Sequence, residues 1–136
     1  MATALIFNSF KEAVAEGKHN LGADTLKFCL TNTAPSLANT QFTDPTEISA
    51  GNGYTAGGTA VTVTSSSQTG GTYSLVLASC VFTASGGTIG PFRYIVLYDD
   101  TATNNELIGY LDYGVSYTLP DGQPFTINAG TFLTIA

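Results

Sequence analysis

The sequence predicts a mainly β fold, an antiparallel β-sandwich or barrel-like domain with one N-terminal helix. Three observations predict it. Thr and Ser are abundant and stand in runs with Val, Ile and Tyr, which is the composition of half-buried strand surfaces. Short strand-like segments alternate with turns rich in Gly, Pro, Asn and Asp, as they do in sandwiches and barrels. Only one stretch, near the N-terminus, has helical periodicity.

Length and composition favour one domain over residues 1–136. The chain is 43% hydrophobic and 10% charged, so it can bury a core and lacks the composition of a disordered chain. Its net charge of −6 with only four cations does not suit a phosphate-binding surface, and we expect no nucleic-acid partner. No apolar run approaches the roughly 20 residues of a membrane span, and no secretory signal is recognised. We therefore expect no membrane partner and synthesis in a reducing cytoplasm.

The predicted helix covers about residues 4–16. Its apolar positions recur at three- and four-residue spacings: Ile6, Phe10, Ala13 and Val14. Gly17 follows and can adopt the positive φ of a residue just beyond a helix C-terminus. An isolated helix of this length is marginal in water, so we expect it to pack on a sheet.

Strands are predicted from about residue 25 onwards. Leu26, Phe28 and Leu30 alternate with polar or small residues, the period of a strand. Further strands are predicted at 59–67, 72–83, 92–98, 106–113, 123–128 and 131–135. The segment 92–98 is apolar on both faces apart from Arg93 and should be central, whereas 59–67 should keep one side exposed.

The segment 33–58 is predicted to be a long surface loop, because its prolines and glycines suit a ladder poorly. Long loops in compact domains are usually functional or disordered. Phe42, Ile48 and Tyr54 are therefore candidate protein-contact residues. The alternative is that these three side chains tuck back into the core. The terminal segment 1–4 is likewise either an arm that reaches a neighbour or a frayed end.

Titratable residues give little sign of chemistry. Cys29 and Cys80 lie in apolar strand-like segments and are interpreted as small buried hydrophobic residues rather than a disulfide. His19 would need a partner such as Ser9 or Asp24 to act as a base or ligand, and we interpret it as a solvated residue at the helix end. No catalytic residue, cofactor or metal ligand is nominated.

Several carboxylates cluster in the later turns, namely Asp99, Asp100, Glu106, Asp112 and Asp121. Their spacing is not that of a dedicated calcium loop, and turn-forming Asp residues explain the pattern more simply. An enzyme would have to rest on a pair such as Asp99 and Asp112 brought together by neighbouring strands, as in a glycosidase. We expect the chain not to be an enzyme.

Five segments in this order resemble a family of small virion structural proteins of tailed bacteriophages and prophages. They are 5–11 (LIFNSFK), 23–30 (ADTLKFCL), 51–58 (GNGYTAGG), 98–101 (YDDT) and 107–114 (LIGYLDYG). The resemblance spans nearly the whole chain and rests on packing and turn patterns, with no catalytic motif to transfer.

The resemblance implies a capsid decoration or cement protein that binds the outer shell and stabilises capsomer contacts. Its partner would be the major capsid protein, and it would form a homo-oligomer, most simply a trimer, at the capsid surface after synthesis in the host cytoplasm. A tail-tip, baseplate or fibre component, bound to tail proteins and with a glycan-binding role for its Tyr-, Asn- and Asp-bearing turns, is the alternative implication.

Overall fold

The computed structural model describes residues 4–136, in which ten strands and one short helix follow one another along the chain. They are β1 (Leu5–Ile6), α1 (Ser9–Ala15), β2 (Leu26–Thr31), β3 (Thr59–Val61), β4 (Val63–Thr69), β5 (Thr72–Leu77), β6 (Cys80–Thr83), β7 (Ile89–Asp99), β8 (Leu107–Leu119), β9 (Pro124–Ile127) and β10 (Gly130–Ile135). Neighbouring strands pair antiparallel. The predicted fold class, a mainly β, sandwich-like domain with one helix, is confirmed.

The strands form a five-stranded sheet in the order β1-β8-β7-β2-β3, a three-stranded sheet β10-β5-β4 and a two-stranded sheet β6-β9. β7 occupies the middle of the largest sheet, as its two apolar faces predict. β2 pairs with β7 along its full length, from Leu26 opposite Asp99 to Thr31 opposite Tyr94. Strand β7 therefore joins the two halves of the sheet, since it pairs with β2 on one edge and with β8 on the other.

The inner face of the five-stranded sheet packs against the two smaller sheets. Leu26, Phe28 and Leu30 of β2 are each 0% exposed in this core, which confirms their predicted alternation. Phe132 of β10 lies 6.0 Å from Phe28, ring centroid to centroid, and links the layers. Removal of this apolar surface from water is the main favourable term in folding.

The outer face of the same sheet carries a second apolar cluster: Phe7, Cys29, Val96, Tyr98, Leu107 and Tyr110. Leu37 and Phe42 from the 33–58 loop pack against it. Strand β2 is thus buried on both sides. Both cysteines are buried free thiols, and burial raises the pKa of each, most strongly that of Cys29.

The helix is shorter than the 4–16 predicted, because Leu5 and Ile6 pair with Tyr110 and Gly109 as an edge strand instead. Phe10 and Ala13 are buried as expected. Gly17 follows with φ +73°, and its N–H donates to the carbonyl of Val14 at 3.2 Å.

Two predicted strands prove to be pairs of strands in different sheets. The segment 59–67 changes sheet at Thr62, and 72–83 changes sheet at Ala78 and Ser79. The N–H of Ala78 donates to the carbonyl of Thr62 at 2.9 Å, so both changes occur side by side. β4 keeps an exposed face, as expected for this part of the chain.

Candidate interaction surface

The 33–58 loop is held against the body by its three candidate contact residues. The ring of Phe42 stacks on Tyr98 with centroids 4.5 Å apart. Ile48 packs on the inner core, and its N–H donates to the carbonyl of Leu30 at 3.0 Å. Tyr54 is only 2% exposed and lies 5.7 Å from the ring of Phe82. Each of the three therefore packs against its own chain.

The phenol of Tyr54 connects the loop to strand β2. Its oxygen accepts a hydrogen bond from the N–H of Leu30 at 3.0 Å and donates to Oε2 of Glu47 at 2.5 Å. The N–H of Gly57 donates to the same carboxylate oxygen at 2.7 Å. Burial, together with the bond to Glu47, raises the pKa of Tyr54 far above its ordinary value, so the phenol stays protonated as a donor.

The glycines of the GNGYTAGG segment allow close backbone contacts. At Gly58, where φ is +83°, a Cβ atom would lie 1.8 Å from the carbonyl oxygen of Phe28. At Gly53, a Cβ atom would lie 2.2 Å from the carbonyl oxygen of Thr83. The hydroxyl of Tyr98 donates to the carbonyl of Gly57 at 2.5 Å. This motif is therefore a packing motif that brings the loop backbone onto two strands.

The loop covers part of the domain and leaves an outward side exposed to solvent. Thr43, Asp44, Ser49 and Ala50 are exposed there. Of the terminal segment 1–4, residues 1–3 lie outside the described part of the chain, while Ala4 packs against the inner core.

His19 is placed differently from its prediction as a solvated residue. Its side chain is 0% exposed, and its Nδ1 lies 3.0 Å from Oδ2 of Asp99, also 0% exposed. Its Nε2 is buried and has no hydrogen-bond partner among the described residues. The prediction fails because β2 and β7 pair so that Asp99 ends up beside the segment that follows the helix.

Asp24, one of the two partners considered for His19, joins this cluster through Asp99. The nearby carboxyl group of Asp99, together with burial, raises the pKa of Asp24. Burial alone would raise the pKa of Asp99, but the contact with His19, the hydrogen bond from the N–H of Thr101 and the proximity of Asp24 leave it below its ordinary value. The cluster ties the end of the helical segment to the β7-β8 turn.

The two carboxylates of the hypothetical enzyme pair lie apart. Asp112 is opposite Tyr94 in the β7-β8 ladder, five residues from Asp99 along β7, or about 17 Å at strand spacing. Asp112 instead binds Arg93, with Oδ1 2.8 Å from Nε. Among residues 4–136 no group of three or more His, Cys, Asp or Glu side chains is arranged to hold a metal ion.

A polar cleft of about 410 Å³ opens between the loop and the start of β7. Its lining includes the polar residues Asn32, Thr33, Ser49, Asn52 and Thr88. Nδ2 of Asn52 donates to the carbonyl of Thr88 at 2.9 Å and joins the two walls. The cleft is thus a preformed and mainly polar surface, assembled from three parts of the chain that sequence reasoning did not connect.

No helix within residues 4–136 has the length and apolar character needed to cross a membrane. Comparisons with known proteins give no relative from which a function could be transferred. No family model, no curated protein and no solved structure matches the chain. The function therefore has to be argued from the residues and their geometry.

Proposed function

We propose that this chain is a structural protein of a bacteriophage virion, namely a capsid decoration or cement protein that binds the outer shell. The observation that carries the proposal is that most carboxylates of this chain bind backbone N–H groups of the same chain. Seven of the ten acidic side chains accept a hydrogen bond from a backbone N–H of this chain: Asp24, Asp44, Glu47, Asp99, Glu106, Asp112 and Asp121. These groups rigidify turns and loops, which favours a structural role over catalysis.

The partner in this proposal is the major capsid protein, contacted by the outward side of the 33–58 loop. A net charge of −6 keeps the chain from competing for the packaged DNA. Each contact is small, but a homo-oligomer such as a trimer repeats it at symmetric sites, and avidity then holds the layer in place. The proposed location is the capsid surface, reached after synthesis in the host cytoplasm.

Cryo-electron microscopy of intact particles tests this proposal. We expect density for this fold to repeat on the shell, with the 33–58 loop against the capsid protein. Replacement of Ser49 by Arg on the outward side should release the protein from particles, whereas Thr126→Arg, at an exposed position of β9 on the two-stranded sheet, serves as the matched control. Purified particles that lack the chain would overturn the proposal.

A tail-tip, baseplate or fibre component with a glycan-binding role is the second candidate, favoured by the polar cleft. Saccharides are held by convergent hydroxyl and amide groups such as those of Asn32, Thr33 and Thr88. A glycan array with the purified chain tests it. Binding that Thr88→Val abolishes and Thr64→Val preserves would support this candidate, and an array without binding would remove it.

A further inference from the structure

Asn52 and Gly53 form the tip of a two-residue turn in the 33–58 loop. The N–H of Gly51 donates to the carbonyl of Tyr54 at 2.8 Å, and the N–H of Tyr54 donates back to the carbonyl of Gly51 at 3.0 Å. Asn52 has φ +55° and Gly53 has φ +97°, the positive values that such a turn requires at both positions. Both residues are exposed, so solvent reaches the turn.

The side chain of Asn52 attaches this turn to the segment before β7. Its Nδ2 donates to the carbonyl of Thr88 at 2.9 Å. It occupies the space that Gly87 leaves free, where a Cβ atom would lie 2.7 Å from Nδ2 of Asn52. The backbone carbonyl of Asn52 also accepts from the N–H of Ser85 at 2.9 Å. Because the carbonyl of Thr88 is an acceptor, the group opposite it has to be a donor such as the amide.

Asn52 is the only one of the eight asparagines in the chain that precedes a glycine. Glycine has no Cβ, so no side chain at position 53 shields its backbone nitrogen from the carboxamide carbon of Asn52. The N–H of Gly53 donates to no backbone carbonyl or side chain among residues 4–136, so this nitrogen can react without first losing a hydrogen bond. A single exposed hydrogen bond, to Thr88, holds the carboxamide.

We propose that Asn52 undergoes spontaneous deamidation and that this modification releases the turn from Thr88. A base from the solvent removes the proton from the backbone nitrogen of Gly53, and this nitrogen attacks Cγ of Asn52. The bond between Cγ and Nδ2 breaks, Nδ2 takes a proton from the solvent, and ammonia leaves a cyclic succinimide. A water molecule then opens the ring at either carbonyl, which gives aspartate or isoaspartate at position 52.

Both products lack the donor that binds Thr88. The new carboxylate is an acceptor opposite another acceptor, so the hydrogen bond cannot form again. Isoaspartate also lengthens the backbone of the turn, because the Cβ of residue 52 enters the main chain. Space is scarce there, since a Cβ atom at Gly53 would already lie 2.2 Å from the carbonyl oxygen of Thr83. The turn should therefore leave the wall of the polar cleft as the chain ages.

This inference goes beyond the proposed function, because the reaction requires only the folded chain and water. It would make the 33–58 loop, the surface proposed to contact the capsid protein, change with time. A failure of the deamidation test would leave the location of the protein on particles unaffected, since imaging of particles measures that separately.

Peptide mass spectrometry of the purified, folded chain after incubation at mildly alkaline pH measures the reaction. The peptide that contains Asn52 should gain the mass difference between an amide and an acid. We expect this gain to be at least about tenfold faster than at any of the other seven asparagines, which serve as controls in the same digest. Asn52 that reacts no faster than the others, or that reacts in urea but not in the folded chain, would overturn the proposal.

Asn52→Asp fixes one product and tests its consequence. Hydrogen exchange should accelerate by at least about tenfold in residues 46–54 and 85–88. Asn39→Asp is the matched control in the same loop, because Oδ1 of Asn39 accepts from the N–H of Ser36 at 2.9 Å and a carboxylate keeps that role. Exchange in the aged wild-type chain measures the same release without a substitution. Aged chain that exchanges like fresh chain, or equal exchange in the two variants, would show that the turn is not released.

Discussion

His19 and Asp99 are eighty positions apart in the sequence, yet Nδ1 of the imidazole and Oδ2 of the carboxylate lie 3.0 Å apart with both side chains shielded from solvent. Oδ1 of the same carboxylate accepts hydrogen bonds from the N–H groups of Thr101 and Ala102. The pair therefore joins the segment after the helix to the turn between β7 and β8. A bond between such distant parts of the chain should contribute to global stability.

Replacement of His19 by Ala is expected to lower the free energy of unfolding by about 1–3 kcal/mol, because it removes the imidazole that contacts the buried Oδ2 of Asp99. Urea denaturation at neutral pH measures the change. Lys27→Ala is the matched control, since the Lys27–Asp100 pair is partly exposed and should be worth less than about 1 kcal/mol. Equal losses of unfolding free energy in the two variants would contradict the expectation that the buried His19–Asp99 pair contributes more than the partly exposed Lys27–Asp100 pair.

Asp24 and Asp99 are expected to affect stability with opposite signs. The pKa of Asp99 is lowered in the folded chain, so its contribution is present above pH about 4 and is lost as pH falls through the lowered value. The pKa of Asp24 is raised, so ionisation of Asp24 at neutral pH disfavours the fold. Asp24→Asn should therefore preserve or increase stability at pH 7, whereas Asp99→Asn should decrease it.

Urea denaturation of both variants at pH 7 and at about pH 3 checks this sign difference. At the lower pH the benefit of Asp24→Asn over wild type should shrink, because Asp24 is then largely protonated in the folded chain. Destabilisation of the same size by both substitutions at pH 7 would contradict the prediction.

Tyr54→Phe is expected to cost about 1–3 kcal/mol, because it leaves the buried N–H of Leu30 without an acceptor and removes the donor to Glu47. Hydrogen exchange should also accelerate selectively in the 33–58 loop. Tyr73→Phe removes a phenol that bonds Ser66 on the three-stranded sheet, at 2.7 Å, and should leave exchange in the loop unchanged. Uniform acceleration throughout the Tyr54→Phe chain would show that the phenol does not hold the loop specifically.

Gly58→Ala is expected to be at least about 2 kcal/mol more destabilising than Gly70→Ala. Both glycines have positive φ, +83° and +59°, so both substitutions carry backbone strain. Only at Gly58 does the new Cβ meet the carbonyl of Phe28, while nothing lies within 4 Å at Gly70. Thermal unfolding of the two variants gives the comparison, and similar melting temperatures would contradict the close approach.

Local sequence patterns correctly predicted those elements in which the alternation or apolar character of the segment's own side chains determines which faces are buried. The alternation around Phe28 predicted β2, and the apolar segment 92–98 predicted the central strand. The same patterns misplaced the ends of elements at positions where pairing with a distant strand determines the end. Ile6 fits the apolar stripe of the predicted helix, but it pairs with Gly109 of β8, and the helix begins only at Ser9. The strand-like pattern runs through Thr62 although the chain changes sheet there.

The cluster around His19 and the bulge of strand β8 that exposes Val115 could not be predicted from the sequence, and the reason is the same for both. Each depends on strand register, since the β2-β7 pairing places Asp99 beside His19 and a register shift between β7 and β8 expels Val115. Asp24 was named as a partner of His19 because it lies close in the sequence. A glycine within a strand-like segment, here Gly114, is a local signal that could have indicated a bulge in β8, but no bulge was predicted.

The position of β2 between β7 and β3 has a consequence for how the nascent chain matures. During synthesis β2 emerges early, while the strand that covers its longer edge follows only after residue 89. Until then the edge of this apolar strand that β7 later covers is available to other chains, a state that favours aggregation. We therefore expect that slow translation of the residues between β2 and the end of β7 lowers the soluble yield.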